Sequence, residues 1–246
     1  MREGALMRFD GYRVVVTGAG RGFGRSLAIA LSRDGAEVFL SARDFRAAET
    51  VAEEVRHAGG RAHAFECDLA DPESVREFAT TVGEVTDAVD VLVNNGAPYL
   101  DAGGFLEADD AQVAATIAAG ATGTVLATKA LLPLLLRSPR PDIVTMVSGC
   151  GEYGNHRSEA HEAFYAAKAA QSGFTEVLSK RLRPQGVRVI SLYPPDFDDT
   201  DPLGPAWDAE RSDGDALTAR SVADCVMFAI GQPRDCYIKS FYFEQA

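Results

Sequence analysis

The chain has 246 residues, of which 46% are hydrophobic, and this is enough for one sizeable core. Its formal net charge of -12 at pH 7 excludes the basic surface that nucleic acid requires, so we expect a small-molecule substrate and no nucleic-acid partner. The four cysteines and four histidines are scattered without metal-ligand spacing, and neither a metal site nor a disulfide framework is predicted.

The sequence predicts neither a signal peptide nor a membrane span. The first residues contain no long apolar segment. The most apolar helical stretch, residues 125–136, is interrupted by Lys129 and Pro133 and is predicted to be too short to cross a bilayer. We therefore expect a cytoplasmic protein without a membrane partner.

Hydrophobic periodicity predicts strands and helices that alternate along the chain. The predicted strands are residues 14–16, 37–41, 62–66, 89–93, 142–147, 187–192 and 237–241. The predicted helices are residues 24–33, 45–58, one beginning near 71, 108–136, 161–183 and 219–230. This alternation favours an α/β fold, a single doubly wound, Rossmann-like parallel sheet of about seven strands with helices on both faces. We expect one domain over residues 1–246, with ligands at the carboxyl ends of the strands.

A glycine-rich turn, residues 17–24 (TGAGRGFG), joins the first predicted strand to the first predicted helix. Its glycines allow a tight turn and let backbone amides approach a pyrophosphate, whose charge the helix N-terminus also favours. The turn therefore predicts a dinucleotide site. Its residues are Gly18, Arg21, Gly22, Phe23 and Gly24.

The spacing of Gly18, Gly22 and Gly24 resembles that of the short-chain dehydrogenase/reductase family, and the resemblance extends over residues 9–243. It implies an NAD(P)-binding Rossmann-fold domain, with further cofactor contacts after later strands. The positions it implies are Asp68 and Leu69 at the adenine ring, Asn95 and Gly96 along the adenosine ribose, and Pro194 before the nicotinamide loop.

The residues after the second predicted strand bear on the 2′-position of the adenosine ribose. An acidic residue there would accept from a 2′-hydroxyl, but the position is Ala42, followed by Arg43. Arg43 and Arg21 offer two guanidinium groups without an opposing carboxylate, which suits a 2′-phosphate. The predicted cofactor is therefore NADP(H). The alternative is that Arg43 pairs with Asp44 or Glu49 on the surface.

The catalytic positions that the resemblance implies are only partly filled. The family uses a tyrosine four residues before a lysine, a serine one loop earlier and an asparagine on the preceding helix. Lys168 matches the lysine, which also holds the nicotinamide ribose, and Ser148 matches the serine. Phe164 stands at the tyrosine position and Gly120 at the asparagine position. Because glycine inside a helix costs about 1 kcal/mol, Gly120 predicts a kink or a site of close approach.

Tyr165 is one candidate to replace the missing tyrosine. It precedes Lys168 by three residues and lies on a neighbouring helical face, so we include it among the candidate catalytic residues. The alternative, which we prefer, is that Tyr165 packs elsewhere and Phe164 lines the substrate pocket.

The segment 149–162 is a few residues longer than is usual between the serine and the helix. It carries Glu152, Tyr153, His156 and His161, any of which could act as a proton donor over the substrate, and water is a further candidate. The alternative is that these residues belong to a solvated loop.

Residues 194–217 are rich in proline, aspartate and glycine and resemble the family's mobile substrate lid. Phe197, Leu203 and Trp207 would form its apolar underside. The predicted substrate pocket comprises Phe164, Tyr153, Gly120 and Trp207.

Three functions remain open. The first is an NADP(H)-dependent ketoreductase or dehydrogenase that acts on a small-molecule carbonyl or alcohol with an atypical proton donor. The second is a non-redox cyclase, dehydratase or isomerase on the same fold, suggested by the missing tyrosine and asparagine. The third is a catalytically silent NADP(H)-sensing protein. We favour the first. The resemblance also implies a homodimer or homotetramer built through the helices at 108–136 and 161–183.

Overall fold

A seven-stranded sheet forms the centre of the structure, a computed structural model that describes residues 7–101 and 104–244. The strands are β1 (Arg13–Val16), β2 (Glu37–Ala42), β3 (Arg61–Glu66), β4 (Val91–Asn94), β5 (Asp142–Met146), β6 (Arg188–Tyr193) and β7 (Ser240–Tyr242). They pair in the order β3-β2-β1-β4-β5-β6-β7, and every pair is parallel. The predicted doubly wound sheet is confirmed.

Helices connect the strands and cover both faces of the sheet. The α-helices are α1 (Gly22–Arg33), α2 (Phe45–His57), α3 (Pro72–Val85), α4 (Asp110–Ile117), α5 (Thr124–Leu135), α6 (Glu162–Leu182) and α7 (Ala219–Ile230). A π-helical turn, Ala118–Gly123, joins α4 to α5. Short 3-10 turns lie at Gly149–Gly151, Arg183–Gln185 and Pro205–Asp208.

Successive residues of the central strands point to opposite faces of the sheet. Val14 and Val16 belong to the core that includes α1, α2 and α7, whereas Val15 belongs to the core that includes α3 and α5. Strands that are buried on both faces need apolar residues at every position. This explains the uninterrupted valine run of β1.

The strand order reverses between β1 and β4, because the chain crosses to β2 and β3 on one side of β1 before it returns to the other. In such sheets the crevice beyond the carboxyl ends of the two strands is the usual ligand site. The glycine-rich turn leaves β1 at this point, beside the segment that leaves β4, and Thr17 N donates to Val93 O at 3.0 Å.

Ion pairs to two buried carboxylates, Asp90 and Asp142, lie at the amino-terminal ends of the strands. Arg188 and Arg234 each donate to the Asp142 carboxylate at 2.6 Å. Arg13 Nε donates to Asp90 at 3.0 Å. Burial alone would raise the pKa of Asp90, but its hydrogen bonds, which include those from Arg13, outweigh burial and lower that pKa. The charged groups at the amino-terminal ends of the strands are thus paired with one another. The carboxyl-terminal ends of the strands are left open.

Most predicted bounds agree with the structure to within two residues, but the last strand and the apolar helical run differ by more. The last strand begins at Ser240 and not at 237, because Tyr237 instead directs its hydroxyl onto Val189, donating to its carbonyl at 2.8 Å. The apolar helical run extends over Asp110–Leu135, which is 26 residues and long enough to cross a membrane by length and composition. The predicted stretch of residues 125–136 is only the second half of this run, so its length does not describe the whole helical run. In the structure the run packs against β4, α3 and α6, as a core helix does.

Candidate functional site

The glycine-rich turn after β1 lies in close contact with the segment after β4. A Cβ on Gly18 would lie 2.5 Å from the Cα of Gly96, and a Cβ on Gly24 would lie 2.5 Å from Asn95 Nδ2. Gly18 also has a φ of +64°, which other residues rarely adopt. Glycine is therefore required at both positions for the two segments to approach this closely.

Asn95 links these two segments by hydrogen bonds. Its Nδ2 donates to the carbonyls of Thr17 and Gly18, both at 3.1 Å. Thr17 Oγ1 in turn accepts from the backbone amides of Asn95 and Gly96 at 3.1 Å. The amide nitrogen of Asn95 is thus engaged by the turn, and Asn95 shapes the site as well as lining it.

Helix α1 begins without a side-chain cap. Arg21 occupies the N-cap position without a capping hydrogen bond, and the first turn contains no acidic residue. By contrast, α2, α3 and α4 are capped by Asp44, Asp71 and Asp109. The first amides of α1 are therefore available to an anion, whose charge the helix dipole stabilises.

A cavity of about 640 Å³ opens between the glycine-rich turn, the end of β2 and the segment after β4. Its volume is typical of ligand pockets. The predicted cofactor residues that line it are Gly18, Arg21, Gly22, Phe23, Gly24, Arg43, Asp68, Leu69, Asn95 and Gly96. Lys168 and Pro194 do not line this cavity. The carbonyl of Pro194 accepts from Gly149 N at 2.8 Å, beside Ser148.

Two arginines at the rim of the cavity have no ionic partner among the described residues. Arg21 and Arg43 are both exposed and line the cavity. Asp44 accepts a backbone amide of α2, and Glu49 pairs with an arginine within α2. The alternative pairing of Arg43 with Asp44 or Glu49 is therefore not formed, and two guanidinium groups are left to a ligand.

Ser148 follows β5 in a strained backbone conformation. Its φ of 73° and ψ of 154° lie in a region that residues with a side chain seldom adopt. Among the described residues it is the one non-glycine residue with a positive φ. Its Oγ accepts from Cys150 N at 3.3 Å. Such strain concentrates at functional sites, and this supports the role predicted for Ser148.

Lys168 is buried on α6, with 4% of its surface exposed. Its Nζ donates to Met146 O at 2.7 Å and to Gln171 Oε1 at 3.1 Å, and lies 5.3 Å from the centre of the Phe164 ring. Burial lowers the pKa of Lys168 from 10.5 to about 8, against a smaller opposite effect of Cys150. The ammonium is thus held by uncharged acceptors and titrates close to neutral pH.

Tyr165 does not pair with Lys168 in the structure. Its hydroxyl donates to Ser158 O at 3.0 Å and accepts from Ser158 N at 3.1 Å. Burial is the main effect that raises the pKa of this hydroxyl. Phe164 is buried and packs edge-on against Tyr99, with 5.1 Å between the ring centres. The pairing fails because the turn at Ser158 binds the hydroxyl, so Tyr165 packs elsewhere, as the preferred alternative has it. Phe164 does not line the cavity, and its place in a substrate pocket stays a prediction.

Gly120 lies in the π-helical turn between α4 and α5. A Cβ at this position would lie 2.9 Å from the Cβ of Ala167 on α6, so this is the close approach that an interior glycine predicts. The carbonyl of Gly120 accepts from Thr124 Oγ1 and from Gln171 Nε2, both at 2.7 Å. π-helical turns often occur at functional sites.

The structure corrects several predicted positions. Tyr153 is fully exposed and does not line the cavity. Trp207 is buried in the core that includes α7, so it supports the lid from within instead of facing a substrate. His156 is exposed. His161 is buried as the N-cap of α6, where its Nδ1 accepts from Ala163 N at 3.0 Å. Neither histidine lines the cavity.

The predicted lid lies over the start of α1. Phe197 packs edge-on against Phe23, with 5.4 Å between ring centres. Asp201 accepts from Arg25 at 3.0 Å. Leu203, predicted to face the substrate, is 45% exposed. Of the three apolar residues predicted for the underside, Phe197 is the one that contacts the glycine-rich turn.

Sequence reasoning missed several residues at the site, among them Tyr99 and Gln171. Tyr99 lines the cavity, and its place after β4, at the carboxyl end of a strand, was a usable signal. Gln171 binds Lys168, and the three-residue spacing on one helix was its only sequence signal.

Comparison with known proteins identifies the family. The chain matches the family model described as short chain dehydrogenase over residues 12–211. It belongs to the short-chain dehydrogenase family. A 3-oxoacyl-[acyl-carrier-protein] reductase from Synechocystis sp. is 34% identical to this short-chain dehydrogenase over 182 residues, which cover 73% of this chain and 72% of the relative. A probable oxidoreductase EphD from Mycobacterium tuberculosis is 32% identical over 206 residues, which cover 82% of this chain and 34% of that longer protein.

Solved structures agree with this assignment. A metagenomic short-chain oxidoreductase in complex with NADP is 28% identical, with a TM-score of 0.80 and coverage of 96% of this chain and 98% of that chain. A short chain dehydrogenase from Burkholderia cenocepacia J2315 in complex with NADP is also 28% identical, with a TM-score of 0.80 and coverage of 95% and 96%. This short-chain dehydrogenase is therefore an oxidoreductase by family, on a Rossmann-like fold.

Proposed function

We propose that this short-chain dehydrogenase is an NADP(H)-dependent oxidoreductase that interconverts a small-molecule carbonyl and alcohol with an atypical proton donor. The observation that carries the proposal is the uncapped N-terminus of α1 at a cavity whose rim holds Arg21 and Arg43. The α1 amides would bind the pyrophosphate, and the two guanidinium groups would bind the 2′-phosphate. Ala42, at the end of β2, brings no carboxylate to repel that phosphate. The NADP in the solved relatives supports the same cofactor.

The reaction would take place between the cavity and Ser148. NADPH, when bound, supplies the hydride. The Ser148 hydroxyl would donate to the carbonyl oxygen of the substrate and hold the carbonyl in position for hydride transfer. Lys168 makes two hydrogen bonds among the described residues, so its third N–H is left for the nicotinamide ribose. The names of the relatives that are 3-oxoacyl-[acyl-carrier-protein] reductases support a ketone substrate.

Water is the proton source that we propose. Phe164 has no proton to give, and the hydroxyl of Tyr165 is bound by Ser158. Tyr153 and His156 are exposed on a loop that does not line the cavity. A water molecule at the Ser148 hydroxyl would then protonate the alkoxide, at a rate below that of a positioned phenol.

Phe164 also favours a second candidate, a non-redox cyclase, dehydratase or isomerase on the same fold. Such an enzyme needs no phenol beside the nicotinamide. It would form product without any change in nicotinamide absorbance. The third candidate, a silent NADP(H) sensor, would bind the cofactor and form no product.

The proposed function is tested by fluorescence titration of the protein with NADPH and with NADH. We expect selective binding of NADPH, and loss of that selectivity when Arg21 and Arg43 are both replaced by alanine. Arg61→Ala is a matched control, because Arg61 is an exposed arginine that does not line the cavity. Equal affinity for NADPH and NADH would contradict the proposal that Arg21 and Arg43 bind the 2′-phosphate. Binding of neither would remove the redox proposal.

We further infer a homodimer or homotetramer built through the long helices. Val125 on α5 and Val177 on α6 are 39% and 50% exposed, so both helices present apolar side chains outward. Light scattering of the purified protein measures the oligomeric state, and a monomer at micromolar concentration would contradict the inference. A single domain and a cytoplasmic location stay predictions.

A further inference from the structure

We propose that Gln171 is the positioning residue for Lys168, and that its side-chain amide bridges the lysine ammonium to the π-helical turn at Gly120. The contacts of Gln171 join groups of this chain alone. Only the consequence for turnover rests on the proposed function.

The first half of the bridge lies within α6. Gln171 follows Lys168 by three residues, so both side chains lie on the same side of the helix. Gln171 Oε1 accepts from Lys168 Nζ at 3.1 Å. Gln171 is 2% exposed and Lys168 is 4% exposed, so water does not compete for this contact.

The second half of the bridge crosses to the π-helical turn. Gln171 Nε2 donates to Gly120 O at 2.7 Å and to Thr124 Oγ1 at 2.9 Å. Thr124 Oγ1 uses its own proton on Gly120 O at 2.7 Å, so it can only accept from Gln171. Both partners of Nε2 are acceptors and the partner of Oε1 is a donor. The orientation of the amide is therefore fixed by its surroundings, and it presents its oxygen to the ammonium.

The remaining surroundings of the ammonium are uncharged. β5 contributes the carbonyl of Met146 at 2.7 Å, and α6 contributes the Phe164 ring. The 3-10 turn beside α6 contributes Cys150, whose effect on the pKa of Lys168 opposes the effect of burial. Because Gln171 supplies one of two acceptors to a buried cation, its removal disfavours the charged form of Lys168.

The absence of a side chain at Gly120 makes the bridge possible. Ala167 on α6 approaches so closely that a Cβ on Gly120 would lie 2.9 Å from its own Cβ. A larger residue would push α6 away and lengthen the path from Gln171 to the Gly120 carbonyl. The glycine in the turn and the glutamine on α6 therefore act as a pair.

The test is a pH titration of the free protein that carries [13Cε]lysine, followed by NMR. The sequence contains four lysines, and Lys129, Lys180 and Lys239 are exposed, so the buried Lys168 gives a distinct signal. We expect Gln171→Leu to lower the pKa of Lys168 by about one unit, because an acceptor is lost. We expect Gln171→Glu to raise it by at least as much, because a carboxylate replaces the amide.

Two controls separate positioning from folding. Gln185→Leu makes the same chemical change at an exposed site and should leave the Lys168 signal unchanged. Thr124→Val removes one acceptor of Gln171 Nε2 together with the hydrogen bond from Thr124 to Gly120 O, while Gly120 O still accepts from Gln171. We therefore expect a smaller fall in the Lys168 pKa. This variant also serves as the test if Gln171→Leu does not fold. A Lys168 midpoint that stays the same in the folded Gln171→Glu and Thr124→Val variants would overturn the proposal.

The kinetic consequence keeps the two proposals apart. We expect the pH profile of kcat to move in the same direction as the Lys168 midpoint in each variant. A shifted midpoint in a protein that never oxidises NADPH would leave the bridge standing and remove the redox function. An active protein whose midpoint and pH profile do not move would remove the bridge and leave the function.

Discussion

Ser148 combines a predicted catalytic position with a backbone conformation that its side chain disfavours. Replacing Ser148 by glycine relieves the strain at φ 73°, whereas alanine keeps it, and both variants lose the hydroxyl. We expect Ser148→Gly to unfold at higher denaturant than Ser148→Ala, by about 1 kcal/mol in the free energy of unfolding, with turnover lost in both. Equal stability of the two variants would mean that the strain is not real.

The protonation of Lys168 links stability to pH. Burial lowers its pKa from 10.5 to about 8, so between these values the unfolded chain binds the extra proton and the folded chain does not. The free energy of unfolding should therefore rise with pH in this window, by at most about 1.4 kcal/mol per pH unit. Lys168→Met should lack this increment. The comparison must be the difference between the two proteins, because burial raises the pKa of Cys67 to about 12 and acts in the opposite direction in both. Parallel pH profiles of urea unfolding would contradict the burial of Lys168.

Tyr165 and Phe164 separate the possible proton donors. The hydroxyl of Tyr165 is bound to Ser158, so we expect Tyr165→Phe to retain turnover. Phe164→Tyr would restore a phenol one turn from Lys168, and we expect NADPH oxidation with a ketone to rise about tenfold or more. A Tyr165→Phe variant without activity would instead identify Tyr165 as the donor, by a rearrangement of the turn at Ser158.

Among the elements, the contact between the π-helical turn and α6 determines the geometry around Lys168. Gly120→Ala would place a Cβ 2.9 Å from the Cβ of Ala167, and overpacking of this kind costs about 1–3 kcal/mol. In an Ala167→Gly background the clash is absent, so the same change should be neutral or stabilising. Denaturant unfolding of the two single variants and the double variant measures this coupling, and additive effects would show that the helices do not touch at Gly120.

The sequence predicts the elements well where a local pattern decides them. The β-branched run of β1, the glycine-rich turn and the four-residue distance between Phe164 and Lys168 are all local features, and the structure agrees with each. The positions of Gln171, Trp207 and Tyr153 depend on contacts between segments far apart in the chain. Periodicity gives no information on these, so the bridge to Gly120, the burial of Trp207 and the exposure of Tyr153 are found only in the structure.

At the scale of the whole molecule, the two ends of the parallel strands have different roles. Ion pairs such as that of Arg188 with Asp142 lie at the amino-terminal ends. The open cavity, the strained Ser148 and the lid over α1 lie at the carboxyl-terminal ends. Stability and ligand binding thus rest largely on different residues. The π-helical turn and Gln171 contribute to both, because Gln171 joins the turn in the helix layer to Lys168 of the site.

The proposed reaction of this molecule is transfer of a hydride from NADPH to a carbonyl. The most direct test is incubation with NADPH that carries deuterium at both hydrogen positions of C4, together with a panel of ketones that includes 3-oxoacyl thioesters, followed by mass spectrometry of the products. We expect an alcohol that contains one deuterium on its carbinol carbon, formed in step with the loss of nicotinamide absorbance. A product without deuterium, or bound NADPH that is not consumed with any ketone of the panel, would contradict it.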